Sequence, residues 1–166
     1  MGAEFAGASG FAGTSVFSHN GIDDLHFRVV YDADASSRVV YNLGEVNSTL
    51  GLQLFIQSAT SLRIGIFGGG TVFVNVLHAL NALQVYDINL INNSGGMDVQ
   101  VFRNGVDLGT SPAGSFRMKD SADFIGQNAA SGGGGFRFDG TLRGVGYRSG
   151  VCSLADHQAA ATGLGV

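Results

Sequence analysis

Apolar side chains fall at every second position along most of this chain, a spacing that a pleated strand can bury on one face and a helix cannot. Leu52, Leu54 and Ile56 alternate with Gln53 and Gln57, and Leu62, Ile64 and Ile66 with Ser61, Arg63 and Gly65. Val72, Val74 and Val76 face one way after the break at Gly68-Gly69-Gly70. Leu25 to Tyr31, Arg38 to Leu43 (Val39, Tyr41 and Leu43 against Arg38, Val40 and Asn42) and Gln84 to Leu90 extend the series. Asn104-Gly105 between two alternating runs is a hairpin signal, because a type I′ turn needs positive φ at both central residues. Phe124-Ile125-Gly126 is a short strand, 132–135 is a glycine loop, and Phe136 to Tyr147 closes the series with Phe138, Leu142 and Val145 as core. Only Ser153 to Ala161 reads as helix, with Ser153 as N-cap and Asp156 three residues on. About ten short strands and one helix predict an all-β fold: a two-sheet antiparallel jelly-roll sandwich.

The sandwich is expected to occupy residues 22–166. Residues 1–21 carry Gly2, Gly7, Gly10 and Gly13, which weaken a helix, and Phe5, Phe11 and Phe17 every six residues. That reads as an extended arm with apolar anchors, docking on its own domain or on a neighbouring subunit. Only 13% of residues are charged, against about 25% in an average soluble domain. Low charge with 45% apolar residues predicts a surface partly covered by copies of the chain or by a partner. The net charge is −4, with a single Lys, Lys119, and scattered Arg, so a nucleic-acid footprint and an anionic membrane are both unexpected. No apolar run approaches the ~20 residues of a membrane span. The first twenty residues contain no Lys or Arg and do not read as a secretory signal.

The order of elements in the second half resembles the laminin-G-like, concanavalin A-like lectin/glucanase superfamily. It runs Leu83-Gln84-Val85-Tyr86-Asp87, then Val99 to Thr110 with its Arg103-Asn104-Gly105 turn, then Phe124-Ile125-Gly126. Phe138-Asp139-Gly140-Thr141-Leu142 and the Ser153-Leu154-Ala155-Asp156 helix start complete it. The resemblance implies a concanavalin A-like jelly roll. It departs from the family near Leu80, where many members carry Trp; this chain has none, which leaves only tyrosines such as Tyr31 to stack on a sugar. The glucanase branch uses closely spaced carboxylates on one strand, whereas the two Glu here, Glu4 and Glu45, are far apart. No enzyme is expected.

Other reactive residues read as structural. His19, His26, His78 and His157 lack metal-ligand spacing, and Cys152, five residues from His157, makes a poor nucleophile–base pair. Two constellations stand out. Asp32 and Asp34, with Asp23 and Asp24 upstream, have oxygen ligands for a possible Ca²⁺, the one cofactor considered. Asn92-Asn93-Ser94 is a polar loop suited to sugar hydroxyls or simply to turn geometry, and with Asn47-Ser48-Thr49 it is also a glycosylation sequon. The function expected is non-enzymatic: a virion surface subunit (capsid decoration, fibre or appendage) assembled in the host cytoplasm, partnered by itself or other virion proteins and touching host glycans. The alternative is a carbohydrate-binding module, free or part of a secreted protein, with calcium dependence left open.

Overall fold

A computed structural model describes residues 3–6, 11–14, 23–43, 50–68, 71–94, 96–114, 122–125 and 138–166. Phe17, Glu45, the Asn47 sequon and the 132–135 loop lie outside the described residues. Among the described residues, twelve strands and one helix run in the order β1 (Ala3–Ala6), β2 (Phe11–Thr14), β3 (Leu25–Ala33), β4 (Arg38–Leu43), β5 (Leu50–Ser58) and β6 (Ser61–Gly68). There follow β7 (Thr71–Leu77), β8 (Leu83–Asn92), β9 (Met97–Arg103), β10 (Val106–Gly114), β11 (Ala122–Ile125), β12 (Asp139–Ser149) and α1 (Leu154–Leu164). Two six-stranded antiparallel sheets form, ordered β1-β12-β3-β8-β9-β10 and β2-β11-β4-β5-β6-β7. The jelly-roll sandwich read from the alternation is therefore the fold observed.

The core lies between the sheets. Leu25, Phe27, Val29 and Tyr31 of β3 and Tyr86, Ile88 and Leu90 of β8 meet Leu52, Leu54 and Ile56 of β5 and Leu62, Ile64 and Ile66 of β6. Each buried aliphatic or aromatic side chain contributes about 1.5–3 kcal/mol, so this double row is the main stabilising term. At the predicted hairpin, Asn104 (φ 45°) and Gly105 (φ 82°) both take positive φ, as a type I′ turn requires. Gly140 (φ 137°) lets β12 meet β3, since a Cβ there would sit 2.1 Å from the Asp32 carbonyl oxygen. Ser153 caps α1 in a reciprocal box with Asp156, and Gly165 closes it in the left-handed conformation.

Strict alternation fails within β4. The register of β4 on β5 shifts between Val39 and Tyr41, so Val40 is the extra residue of a bulge. Val40 and Tyr41 both join the core, while Val39 pairs with Phe55 on the other face, correcting the expected grouping of Val39 with Tyr41. The described parts of the N-terminal segment pair within the chain, in keeping with docking on its own domain, one of the two expectations. β1 pairs with β12, Phe5 opposite Gly140, and β2 pairs with β11, Phe11 opposite Ile125. Backbone hydrogen bonding thus engages both positions within the chain, one in each sheet.

A polar cluster interrupts the core at one end. The Tyr31 hydroxyl and His78 Nδ1 share a hydrogen bond at 3.1 Å, and the Tyr86 hydroxyl donates to the Leu77 carbonyl. His78 Nε2 is buried with no partner among the described residues. Burial, with the Arg103 charge adding, pushes His78 down to about 4. A folded-state value below the unfolded ~6.5 means the unfolded chain binds the extra proton. The stability tied to neutral His78 is full above pH ~6.5 and falls away as pH drops through about 4. His78→Gln should therefore show a shallower loss of thermal midpoint between pH 7 and pH 4 than the parent. Parallel profiles would refute this.

Candidate functional site

On the outer face of the first sheet, alternation delivers polar groups where a one-sided sheet would meet water. His26, Arg28, Val30 and Asp32 of β3 point outward, as do Asp87 and Asn89 of β8. Yet His26, Asp87 and Asn89 are buried, because α1 lies over them. The helix inserts few apolar groups: only His157 and Ala161 are buried. What holds it is a network around the Asp87 carboxylate, which is 0% exposed.

Arg28 grips Asp87 through two parallel bonds, Nε to Oδ1 and Nη2 to Oδ2, both 2.8 Å. His26 Nε2 donates to Oδ1, and His157 Nδ1 donates to Oδ2 at 2.6 Å. The Gly105 N–H donates to His157 Nε2 at 2.9 Å, which sets the tautomer, and Phe102 stacks on the His157 ring. Asn89 clamps the backbone of Cys152, donating to its carbonyl and accepting from its N–H, each at 2.8 Å. Burial alone would push the Asp87 carboxyl up; hydrogen bonds from His157, His26 and Arg28, with the Arg28 charge, outweigh it and hold the group well below the usual carboxylate range. His26, Asp87 and Cys152 offer ligand atoms within 4.8 Å of one another. They do not suit a metal ion, since four donors already occupy the carboxylate and the Arg28 cation lies 3.7 Å from the thiol. Burial, reinforced by the Asp87 charge, pushes the Cys152 thiol up, which favours its protonated form. The network is a polar clamp that docks α1 and fixes Arg28.

Beside the clamp the same residues open to solvent. Between α1 and β12 runs an open groove of about 470 Å³, lined by His26, Arg28, Gly146, Tyr147, Arg148, Asp156 and Ala160. β12 pairs Gly144 with Val30, Gly146 with Arg28 and Arg148 with His26, so its outward positions read Gly, Gly, Arg. A Cβ at Gly146 would meet nothing within 4 Å, and the missing side chain leaves the groove floor bare there. Arg148 is exposed and donates from Nε to His26 Nδ1 at 3.3 Å, leaving its terminal nitrogens toward solvent. Asp156, held ionised by hydrogen bonds from Ser153, faces from the helix. The groove thus offers guanidinium donors and a carboxylate acceptor around a shallow trough.

The residues singled out from sequence fall elsewhere. Tyr31, expected to stack on a ligand, is wholly buried among His78, Tyr86 and Phe138; it points inward from β3, so it is core. Asp32 and Asp34 sit at one end of β3 and Asp23 and Asp24 before the other, roughly 25 Å away along a nine-residue strand, so the four cannot share one ion. Asp32 Oδ1 is buried with no hydrogen-bond partner among the described residues, and Asp34 is exposed. Asn92 and Ser94 do join Asp23 and Asp24 around a depression at the far rim. There Asp24 accepts from the Asn92 N–H, Asn92 Oδ1 from the Ser94 N–H, and Asp98 from the Asn93 amide. These bonds are turn geometry, and they sit at the opposite end from Tyr31. The groove residues Arg28, Gly146, Arg148 and Asp156 were not anticipated. The signal available was the pairing of His26-x-Arg28 with Asp87-x-Asn89 on the outward register.

No family model matches the chain, and neither does any curated protein. Solved structures do. The Ruminococcus gnavus IT-sialidase CBM40 bound to α2,3-sialyllactose superposes with a TM-score of 0.71 at 12% identity, covering 96% of each chain. Mouse laminin α1 domains LG4-5 give 0.65 at 13% identity over 90% of this chain and 42% of theirs. A candidate carbohydrate-binding protein from Bacteroides ovatus gives 0.66 at 14% over 90% and 44%. At such identities the likeness is one of fold: a laminin-G-like, concanavalin A-like jelly roll.

Proposed function

We propose that this domain is a non-catalytic glycan binder that takes its ligand in the groove between α1 and β12. The observation that carries the reading is the bare floor that Gly146 leaves between the Arg28–Arg148 side and Asp156. Sugars present hydroxyls in pairs and, in acidic sugars, a carboxylate. Guanidinium groups bind a carboxylate through parallel N–H donors, and Asp156 accepts from hydroxyls. The like-folded modules include one solved with a sialylated sugar and a candidate carbohydrate binder, which supports the glycan class. A carboxylate-bearing sugar is the ligand class that Arg148 selects.

Two narrower readings accompany it. A role for Ca²⁺ would rest on Asp32, whose buried Oδ1 has no hydrogen-bond partner among the described residues, with Asp34 close by in sequence. A virion surface location is supported by the low charge content of the chain. A glycan array run with calcium and repeated with EDTA tests the main reading. Acidic glycans should bind above neutral ones; binding that EDTA removes would support the calcium role. An array without any glycan signal in either condition would overturn the proposal, and detection of the chain in purified virus particles, or its absence there, decides the location.

A further inference from the structure

The outer face of the second sheet carries a cation without a counter-ion. Leu62 and Ile64 of β6 enter the core, so Arg63 between them points away from it. Its direct cross-strand partners are Phe55 of β5 and Asn75 of β7. The guanidinium carbon lies 4.8 Å from the Phe55 ring centroid and 4.6 Å from that of Phe73. Gly65, paired with Phe73, makes the room: a Cβ there would come to 3.0 Å from the Phe67 ring and 3.3 Å from that of Phe73. The ion pairs among the described residues all converge on Asp87, so none reaches Arg63. Its Nε is buried with no hydrogen-bond partner among the described residues. Ring stacking engages the faces of a guanidinium and none of its N–H donors. The plane is held in place while its edge stays unmatched.

We infer that Arg63, Phe73 and Asn75 form a second binding site, for a carboxylated sugar, on the opposite side of the sandwich from the groove. The edge of a guanidinium meets a carboxylate through parallel N–H donors. Phe73, 50% exposed, gives the apolar face of a pyranose a ring to stack on. Asn75, exposed beside Arg63, brings an amide donor and acceptor for hydroxyls. A lone anion would use only the charge, and a neutral sugar only the ring and the amide; a carboxylated pyranose uses all three. The ligand class rests on the glycan reading above, whereas the site does not. With the groove on one outer face and Arg63 on the other, the domain is bivalent.

Amide chemical shifts read the two sites separately. Glucuronate, titrated to about 50 mM to suit a millimolar affinity, should move amides of β6 and β7, and glucose should move them more weakly. Arg63→Gln should weaken glucuronate there about tenfold, with unchanged circular dichroism and unchanged shifts at Gly146–Arg148. Phe73→Ser, at a side chain already half in solvent, should weaken both sugars alike. Shifts confined to Gly146–Arg148 would overturn this site and leave the groove reading standing. Shifts confined to β6 and β7 would do the reverse, and no shift anywhere would overturn both. Acetate moving the β6 and β7 amides as strongly as glucuronate would reduce the site to a bare anion contact and overturn it, as would an Arg63→Gln chain that binds like the parent.

Discussion

Replacing Asp87 with Ala is expected to lower stability by about 3–5 kcal/mol, the cost of removing one member of a buried, hydrogen-bonded charge cluster. The residue is fully buried and accepts from Arg28 twice, from His26 and from His157. Its loss leaves a guanidinium and two imidazoles without their acceptor. It also cuts α1 loose, because the helix buries only His157 and Ala161 and has little apolar grip of its own. A domain's whole stability is about 5–15 kcal/mol, so the variant should sit near the edge of folding. In urea the midpoint should fall by about 2 M at a slope of about 2 kcal/mol/M. Amide exchange across Leu154–Leu164 should accelerate ahead of the β-strands. A loss under about 1 kcal/mol would show that the clamp is ornamental. The sign of the acid response follows from the depressed carboxyl. Its ionised form contributes stability above the ordinary carboxylate range, and that contribution is lost as pH falls below it. Asp87→Asn should therefore lose this acid sensitivity while remaining less stable than the parent near neutrality.

Gly146→Phe should abolish glycan binding, at least a hundredfold in affinity, while leaving the fold intact. A Cβ at Gly146 meets no atom within 4 Å, so the ring enters the groove rather than the core. Its backbone is ordinary extended strand, where aromatic residues are well accommodated. Stability should stay within about 0.5 kcal/mol of the parent, as for a surface substitution. Arg148→Ala should weaken acidic glycans about tenfold, the loss of one charge-assisted hydrogen bond, and leave neutral glycans unchanged. Calorimetric titration with the best glycan from the array reads both. If Gly146→Phe bound like the parent, the ligand would sit elsewhere, and the Asp24–Asn92 rim would be the next surface to probe.

The local elements were legible because they are short-range facts. Alternation marked the strands, Asn104-Gly105 the hairpin and Ser153 with Asp156 the helix start, each through backbone sterics or bonds between near neighbours. The same local logic misled where long-range pairing intervened. The bulge at Val40 turned Val39 away from Tyr41, because register is a property of two strands together. Tyr31 looked like a sugar platform and became core, because periodicity shows that a strand has two faces and does not say which one is covered.

By itself, the sequence determined that this chain would be a two-sheet sandwich with a capped terminal helix, since spacing and turn chemistry act within a few residues. Only the tertiary structure decided the chemistry of its surface. Arg28, Asp87, Arg148 and His157 are up to 129 residues apart, and they converge because β12, β3 and β8 lie side by side while α1 folds back over them. Nothing local encodes that meeting: strand order is settled by which faces exclude water together, and the groove is the space left beside the helix where Gly146 adds no side chain.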